Sequence, residues 1–213
     1  HFYALAIKIS GAVQASRWTD LPEGGFICSF NGPHSLFVDT IRSCRILVTS
    51  HLMGHSLHGE GDRKISLLER AMQHIQATAK YSIYYGEGRD HFDIWGRTAH
   101  EIIFNTNDGQ FRCPNAQQGY TGFSTWTRGL AWGMLGFTEE LEVLELINKH
   151  ELINLGGFDK LEEMMLKGAK ATCDFYIEHT PSCGVTYWDT GAPNLHKLGD
   201  YLDRPADPYN DWE

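Results

Sequence analysis

The chain has 213 residues and a formal net charge of −9, and is 42% hydrophobic and 21% charged, the proportions of a globular protein of about one domain. No Lys/Arg run or stripe suits a phosphate backbone, so no nucleic-acid partner is expected. No apolar run approaches the ~20 residues that span a bilayer, so no membrane partner is expected either.

Apolar residues at spacings of three and four predict a first helix from Phe2 to Ala15. The loop "RWTDLPEGGFICSFNGP" follows. A second helix is expected from Pro33 or Ser35 to about Leu57, because Pro suits a first helical turn. A third runs from about Lys64 to Tyr85 and ends before Gly86. The next stretch is polar and Gly-rich, with a short helix or strand pair around Thr98 to Phe104. In "GYTGFSTWTRGLAWGMLGFTEELEVLELI" an aromatic loop turns into a long amphipathic helix, and a last helix covers about Phe158 to Thr180. The Pro-, Gly- and Asp-rich tail from Pro181 reads as ordered loop. Long helices alternating with elaborate loops predict an all-α fold of antiparallel hairpins, with the loops gathered at one end of a helical ring.

Aromatic residues make up 12% of the chain, and many lie in irregular stretches. Flat apolar rings outside the periodic segments suit a ligand site, sugars in particular. The five cysteines are odd in number and lack a C-x-x-C pair, so they read as free thiols. The chain opens on "HFYALAIKIS" without an initiator Met and stops in a polar loop. It reads as a piece of a longer protein, residues 1–213 forming one partial catalytic domain, with the compartment left open.

Asp39, in "LFVDTIRS", sits where a carboxylate favours a helix start and can pair with Arg42; it is equally placed for acid/base work. His51, His55 and His58 do not complete a metal-ligand set with carboxylate or Cys, and solvated histidines are the simpler reading; no metal or cofactor is expected. His100 follows Trp95 and Arg97 in a polar connection and, taken alone, is a hydrogen-bonding structural residue. Gln118, Trp126, Arg128 and Trp132 fall within fifteen residues. Arg128 and Trp132 share a helix face at i,i+4. These indoles serve equally well as core or as a sugar platform. Trp188 and Asp189, in "GVTYWDTGAPN", suit a loop locked by a buried indole and an Asx turn better than a ligand contact.

Taken in order, "FVDTIRS", a loop His, "QGYTGFSTWTRGLAWGMLGF" and "GVTYWDTGAP" resemble the unsaturated glucuronyl hydrolases of glycoside hydrolase family 88. The resemblance spans about Asn31 to Asp189, and its most specific piece is "STW-x-RG-x-AWG-x-x-GF". The unsaturated rhamnogalacturonyl hydrolases carry a looser version. The resemblance implies an (α/α)6 six-hairpin barrel, incomplete in this chain. It implies a glycosidase that hydrates the C4–C5 double bond of an unsaturated terminal uronic acid, with unsaturated uronyl disaccharides or oligosaccharides as partners. By motif, Asp39 matches the acid/base Asp, and His100, Gln118, Trp126, Arg128 and Trp132 match substrate-binding positions. Trp126 and Trp132 would pack the sugar, and Arg128 would sit opposite Asp39. Arg97, Arg112 and Arg128 are the cations available for an acidic substrate. A second essential Asp, in an "H-D-x-G-F"-like motif, is expected upstream of residue 1, and further helices beyond the tail. A rhamnogalacturonyl hydrolase and a non-catalytic carbohydrate-binding barrel are the alternatives.

Overall fold

The structure, a computed structural model, describes residues 1–193. Five α-helices carry it: α1 (Phe2–Ser16), α2 (Cys44–Leu52), α3 (Leu67–Ala77), α4 (Thr127–Leu144) and α5 (Phe158–Glu178). The seven strands are short: β1 (Trp18–Asp20), β2 (Gly25–Ile27), β3 (Ser35–Phe37), β4 (Leu57–His58), β5 (Lys64–Ile65), β6 (Glu101–Phe104) and β7 (Phe111–Asn115). β1 pairs with β2 and β4 with β5, and β3-β6-β7 make an antiparallel three-stranded sheet. The tail beyond residue 193 lies outside the described residues.

Helix packing makes the main core. Leu47, Val48, Leu68, Met72, Ile75, Phe137, Leu161 and Met165 are buried together, so α2, α3, α4 and α5 share one apolar interior. A second cluster, with Phe26, Leu36, Tyr84, Ile102 and Phe104, lies under the three-stranded sheet. α3 is the most regularly patterned helix. Its N-cap Ser66 accepts the Glu69 N–H, and Leu68, Ala71, Met72 and Ile75 form its buried stripe. Among the described residues, no helix is long and apolar enough to cross a membrane. The five cysteines are free thiols.

The expected second helix is divided. Residues Ser35–Phe37 form β3, Val38–Ser43 form a 3-10 turn, and only Cys44–Leu52 is α-helical. The apolar run Leu36-Phe37-Val38 satisfies a strand as well as a helix. Pairing with Ile102 and Glu101 of β6, more than sixty residues away, selects the strand. The third helix begins at Leu67 and ends in a π-helical turn over Thr78–Ser82. Of the stretch Thr98 to Phe104, Glu101–Phe104 forms strand β6, the middle strand of its sheet, and Thr98 makes an isolated bridge to Ile83.

α4 and α5 pack side by side, and the 3-10 turn Val38–Ser43 lies against α4. Gly129, Gly133 and Gly136 supply the groove. A Cβ at Gly129 or Gly133 would meet Val38 at 3.5 or 3.6 Å, and one at Gly136 would lie 2.2 Å from Ile41 Cγ2. Gly136 is therefore the glycine that admits the turn carrying Asp39, whereas a Cβ at Gly129 would first meet Trp126 Cε3 at 2.8 Å.

Candidate active site

Asp39 is the second residue of the 3-10 turn, whose Val38, Thr40 and Ile41 are buried on either side of it. The Val38 N–H donates to the His100 carbonyl at 3.0 Å, tying the turn to the loop that enters β6. Asp39 Oδ1 is buried, and no donor among the described residues reaches it. Buried carboxylate oxygens are normally hydrogen-bonded, and leaving one without a donor is costly. Functional sites are where that cost is tolerated.

His100 is buried, at 3% exposure. Its ring packs between Phe37 and Trp126, with centroids 5.0 and 4.5 Å away. Nδ1 accepts the backbone N–H groups of Gln117 and Gln118 at 3.1 and 3.4 Å. An accepting Nδ1 assigns the proton of the neutral ring to Nε2. Burial pushes the imidazole below its ordinary range, while the charges of Asp39 and Glu101 pull the other way. His100 is thus a neutral donor close enough to Asp39 to feel its charge.

Glu101, next in sequence, is fully buried. Its carboxylate accepts from Asn31 Nδ2 at 2.6 Å, Asn115 Nδ2 at 2.6 Å, Gln117 Nε2 at 3.0 Å and the Ser35 hydroxyl. Burial raises its proton affinity, but these four donors outweigh burial and hold the carboxyl below its usual range. Glu101 is not among the residues that the sequence singles out. The available signal was a single acid in "HEIIF", an otherwise apolar strand segment, with "NAQQ" as a nearby source of amide donors.

The two tryptophans separate. Trp126 is 4% exposed and serves as the wall behind His100, offering a ligand little surface. Trp132 is half-buried, and the exposed Arg42 lies over its indole at 4.2 Å from the centroid. Arg42 does not pair with Asp39 despite the i,i+3 spacing. Arg128 is exposed, with its guanidinium 5.7 Å from the Trp126 centroid. It does not sit opposite Asp39 as an ion pair. Neither Arg42 nor Arg128 has a carboxylate partner among the described residues. Gln118 is exposed, with only its backbone N–H engaged by His100.

Arg97 is not available. It is 2% exposed, pairs with Asp90 at 2.5 Å, donates to the Phe123 carbonyl at 2.9 Å and stacks 3.5 Å over Tyr84. Arg112 is exposed and faces Asp108 at 3.7 Å. His51 pairs with Glu151 at 2.9 Å, and no cluster of metal-ligand side chains occurs among the described residues.

Asp189 is a fastener. It is fully buried, takes the Tyr120 N–H at 2.8 Å, and closes an Asx turn by accepting the Gly191 N–H at 2.8 Å. A bridge between Trp126 and Asp189 joins the start of α4 to this loop. The buried indole of the junction is Trp126, whereas Trp188 is only half-buried.

A curated relative from Formosa agariphila, named unsaturated glucuronyl hydrolase, is 28% identical over 127 residues, 59% of this chain and 26% of the relative. One of the same name from Bacillus sp. strain GL1 is 34% identical over 94 residues, 44% of this chain and 21% of the relative.

The chain is a sequence relative of the unsaturated glucuronyl hydrolases.

The solved unsaturated glucuronyl hydrolase of Bacillus sp. GL1, described as responsible for the degradation of glycosaminoglycan, shares the fold. It superposes with a TM-score of 0.61 at 21% identity, over 86% of this chain and 41% of that one. The helices here are therefore part of the α/α barrel of those enzymes. The chain spans less than half the length of the relatives it matches. No family model matches the sequence.

Proposed function

We propose that the protein is a glycoside hydrolase of the unsaturated glucuronyl hydrolase type, acting on saccharides that end in a C4–C5 unsaturated uronic acid. The observation that carries this reading is Asp39. Its Oδ1 is buried with no donor among the described residues, on a turn seated against Gly136 of α4 and beside a neutral His100. A carboxyl group so placed suits proton transfer to a bound substrate.

In the proposed reaction Asp39 delivers a proton to C4 of the enol ether, and water adds at C5. The resulting hemiketal collapses, the ring opens, and the neighbouring sugar leaves as an alcohol. One carboxyl group then serves as acid and base, and no pair of carboxylates has to flank the glycosidic bond. His100 would donate through Nε2–H to a substrate oxygen, and the Gln118 amide would bind a hydroxyl or the carboxylate. The exposed guanidiniums of Arg128 and Arg42 would meet the uronate charge locally, which a net charge of −9 would otherwise repel. The Trp132 indole would pack against the sugar, with Trp126 holding His100 from behind.

Three disaccharides separate this reading from its alternatives: an unsaturated glucuronyl one, an unsaturated rhamnogalacturonyl one, and a saturated control. Loss of ultraviolet absorbance of the conjugated double bond with the first, and none with the control, is the expected result. Faster loss with the second would move the assignment to the rhamnogalacturonyl type. Saccharide binding with no absorbance change in any arm would overturn hydrolysis and favour a carbohydrate-binding barrel.

A further inference from the structure

We propose that Glu101 is a positioning residue that sets, from beneath, both the segment carrying Asp39 and the loop carrying Gln118. Its two oxygens face opposite ways along the chain. Oε1 takes Asn31 and Ser35, which lead through β3 into the turn of Asp39. Oε2 takes Asn115 and Gln117, the end of β7 and the loop that follows. That loop supplies the two backbone N–H groups on His100 Nδ1. One buried carboxylate thus fixes the loop that chooses the His100 tautomer, and Glu101, fully buried, acts through these neighbours.

A carboxylate is acceptor-only and takes two donors on each oxygen, and here all four places are filled. A glutamine amide keeps one acceptor oxygen and turns the other side into a donor, which meets either the Asn115 and Gln117 amides or Asn31 and the Ser35 hydroxyl. Glu101→Gln therefore frees one half of the clamp while changing little volume. An ionised acceptor also holds its donors more strongly than a neutral one. The donors come from segments up to 84 positions apart in sequence, Asn31 and Asn115, so no local turn can replace the link.

The His100 role in substrate binding rests on the proposed function; its tautomer does not, and the test reads the tautomer. Ring-nitrogen NMR of His100 in the full chain should show a neutral imidazole protonated on Nε2. Amide exchange at Gln117 and Gln118 should be slow. In Glu101→Gln, exchange at those two amides should accelerate at least about tenfold, and His100 should become a tautomer mixture. Gln117→Met removes one side-chain donor from a surface position and keeps its backbone N–H. It should shift both readouts in the same direction by less, and it decides the matter if Glu101→Gln does not fold. A residue that only stabilises the fold would lower the unfolding midpoint and leave tautomer and local exchange unchanged. That outcome in both variants, or a wild-type His100 protonated on Nδ1, overturns the proposal. Absence of turnover on every unsaturated saccharide would defeat the proposed function and leave this result standing.

Discussion

Gly136 of α4 and Ile41 of the 3-10 turn approach so closely that a methyl group at 136 would fall 2.2 Å from Ile41 Cγ2. Ile41 is fully buried and cannot swing away. Gly136→Ala should therefore gain helix propensity and still lose stability. Displacing the turn costs about 1–3 kcal/mol, against about 1 kcal/mol of propensity gained. Urea unfolding measures the balance. Gly133→Ala is the control: its nearest neighbour would be Val38 Cγ2 at 3.6 Å, so it should be neutral or stabilising.

Two buried groups give the stability opposite dependences on pH. Burial lowers His74 from its ordinary value of 6.5 to about 3. The unfolded chain takes up that proton below about 6.5 and the folded chain does not. The His74 contribution is therefore complete above 6.5 and is lost as the pH falls toward 3. Glu140 runs the other way. Burial first, and the charge of Glu139 second, raise it from 4.5 to about 8, against the pull of Arg45. Its contribution is complete below 4.5 and is lost as the pH rises toward 8, by up to about 1.4 kcal/mol per pH unit. Both carboxyl oxygens of Glu140 are buried, with no side-chain hydrogen-bond partner among the described residues, and Cys44 lies close by. Glu140→Gln should unfold at higher urea than the wild type at pH 8, with the advantage shrinking toward pH 4.5.

Arg97 and Arg128 should respond differently to substitution, although both are arginines in or beside the candidate site. Arg97→Lys cannot reproduce the fork to Asp90 and the Phe123 carbonyl, nor the stacking on Tyr84. It should cost about 3 kcal/mol of stability, read as a lower urea midpoint. Arg128→Gln should stay within about 0.5 kcal/mol of the wild type, as exposed positions do. Its effect should appear instead as weaker binding of an unsaturated uronyl disaccharide, followed by tryptophan fluorescence.

The helices were legible in the sequence because their apolar spacing is local: α1, α4 and α5 lie close to where that spacing puts them, while α3 is half the expected length because Lys64–Ile65 pairs as β5 and Thr78–Ser82 turns π-helical. The strand at Ser35–Phe37 was not, because its partner lies on β6 and the run itself suits either state. At the site, the types of residue were legible and their partners were not. Trp126 and Trp132 look alike in sequence, yet one is buried behind His100 and the other is half-buried under the Arg42 guanidinium. Arg97 looks like a free cation until the fold brings Asp90 and Tyr84 to it. Glu101 shows no periodicity of its own, since its four donors come from Asn31, Ser35, Asn115 and Gln117 on separate segments.

The most direct measurement is the rate at which an unsaturated glucuronyl disaccharide loses its double-bond absorbance, compared between the wild type and Asp39→Asn. The amide fills the same space, so the variant should fold with an unchanged unfolding midpoint and still bind the disaccharide. As a lost general acid, it should turn over more slowly by about 10²–10⁴-fold. A rate equal to that of the wild type in a folded Asp39→Asn protein would contradict the assignment of Asp39 and the mechanism built on it.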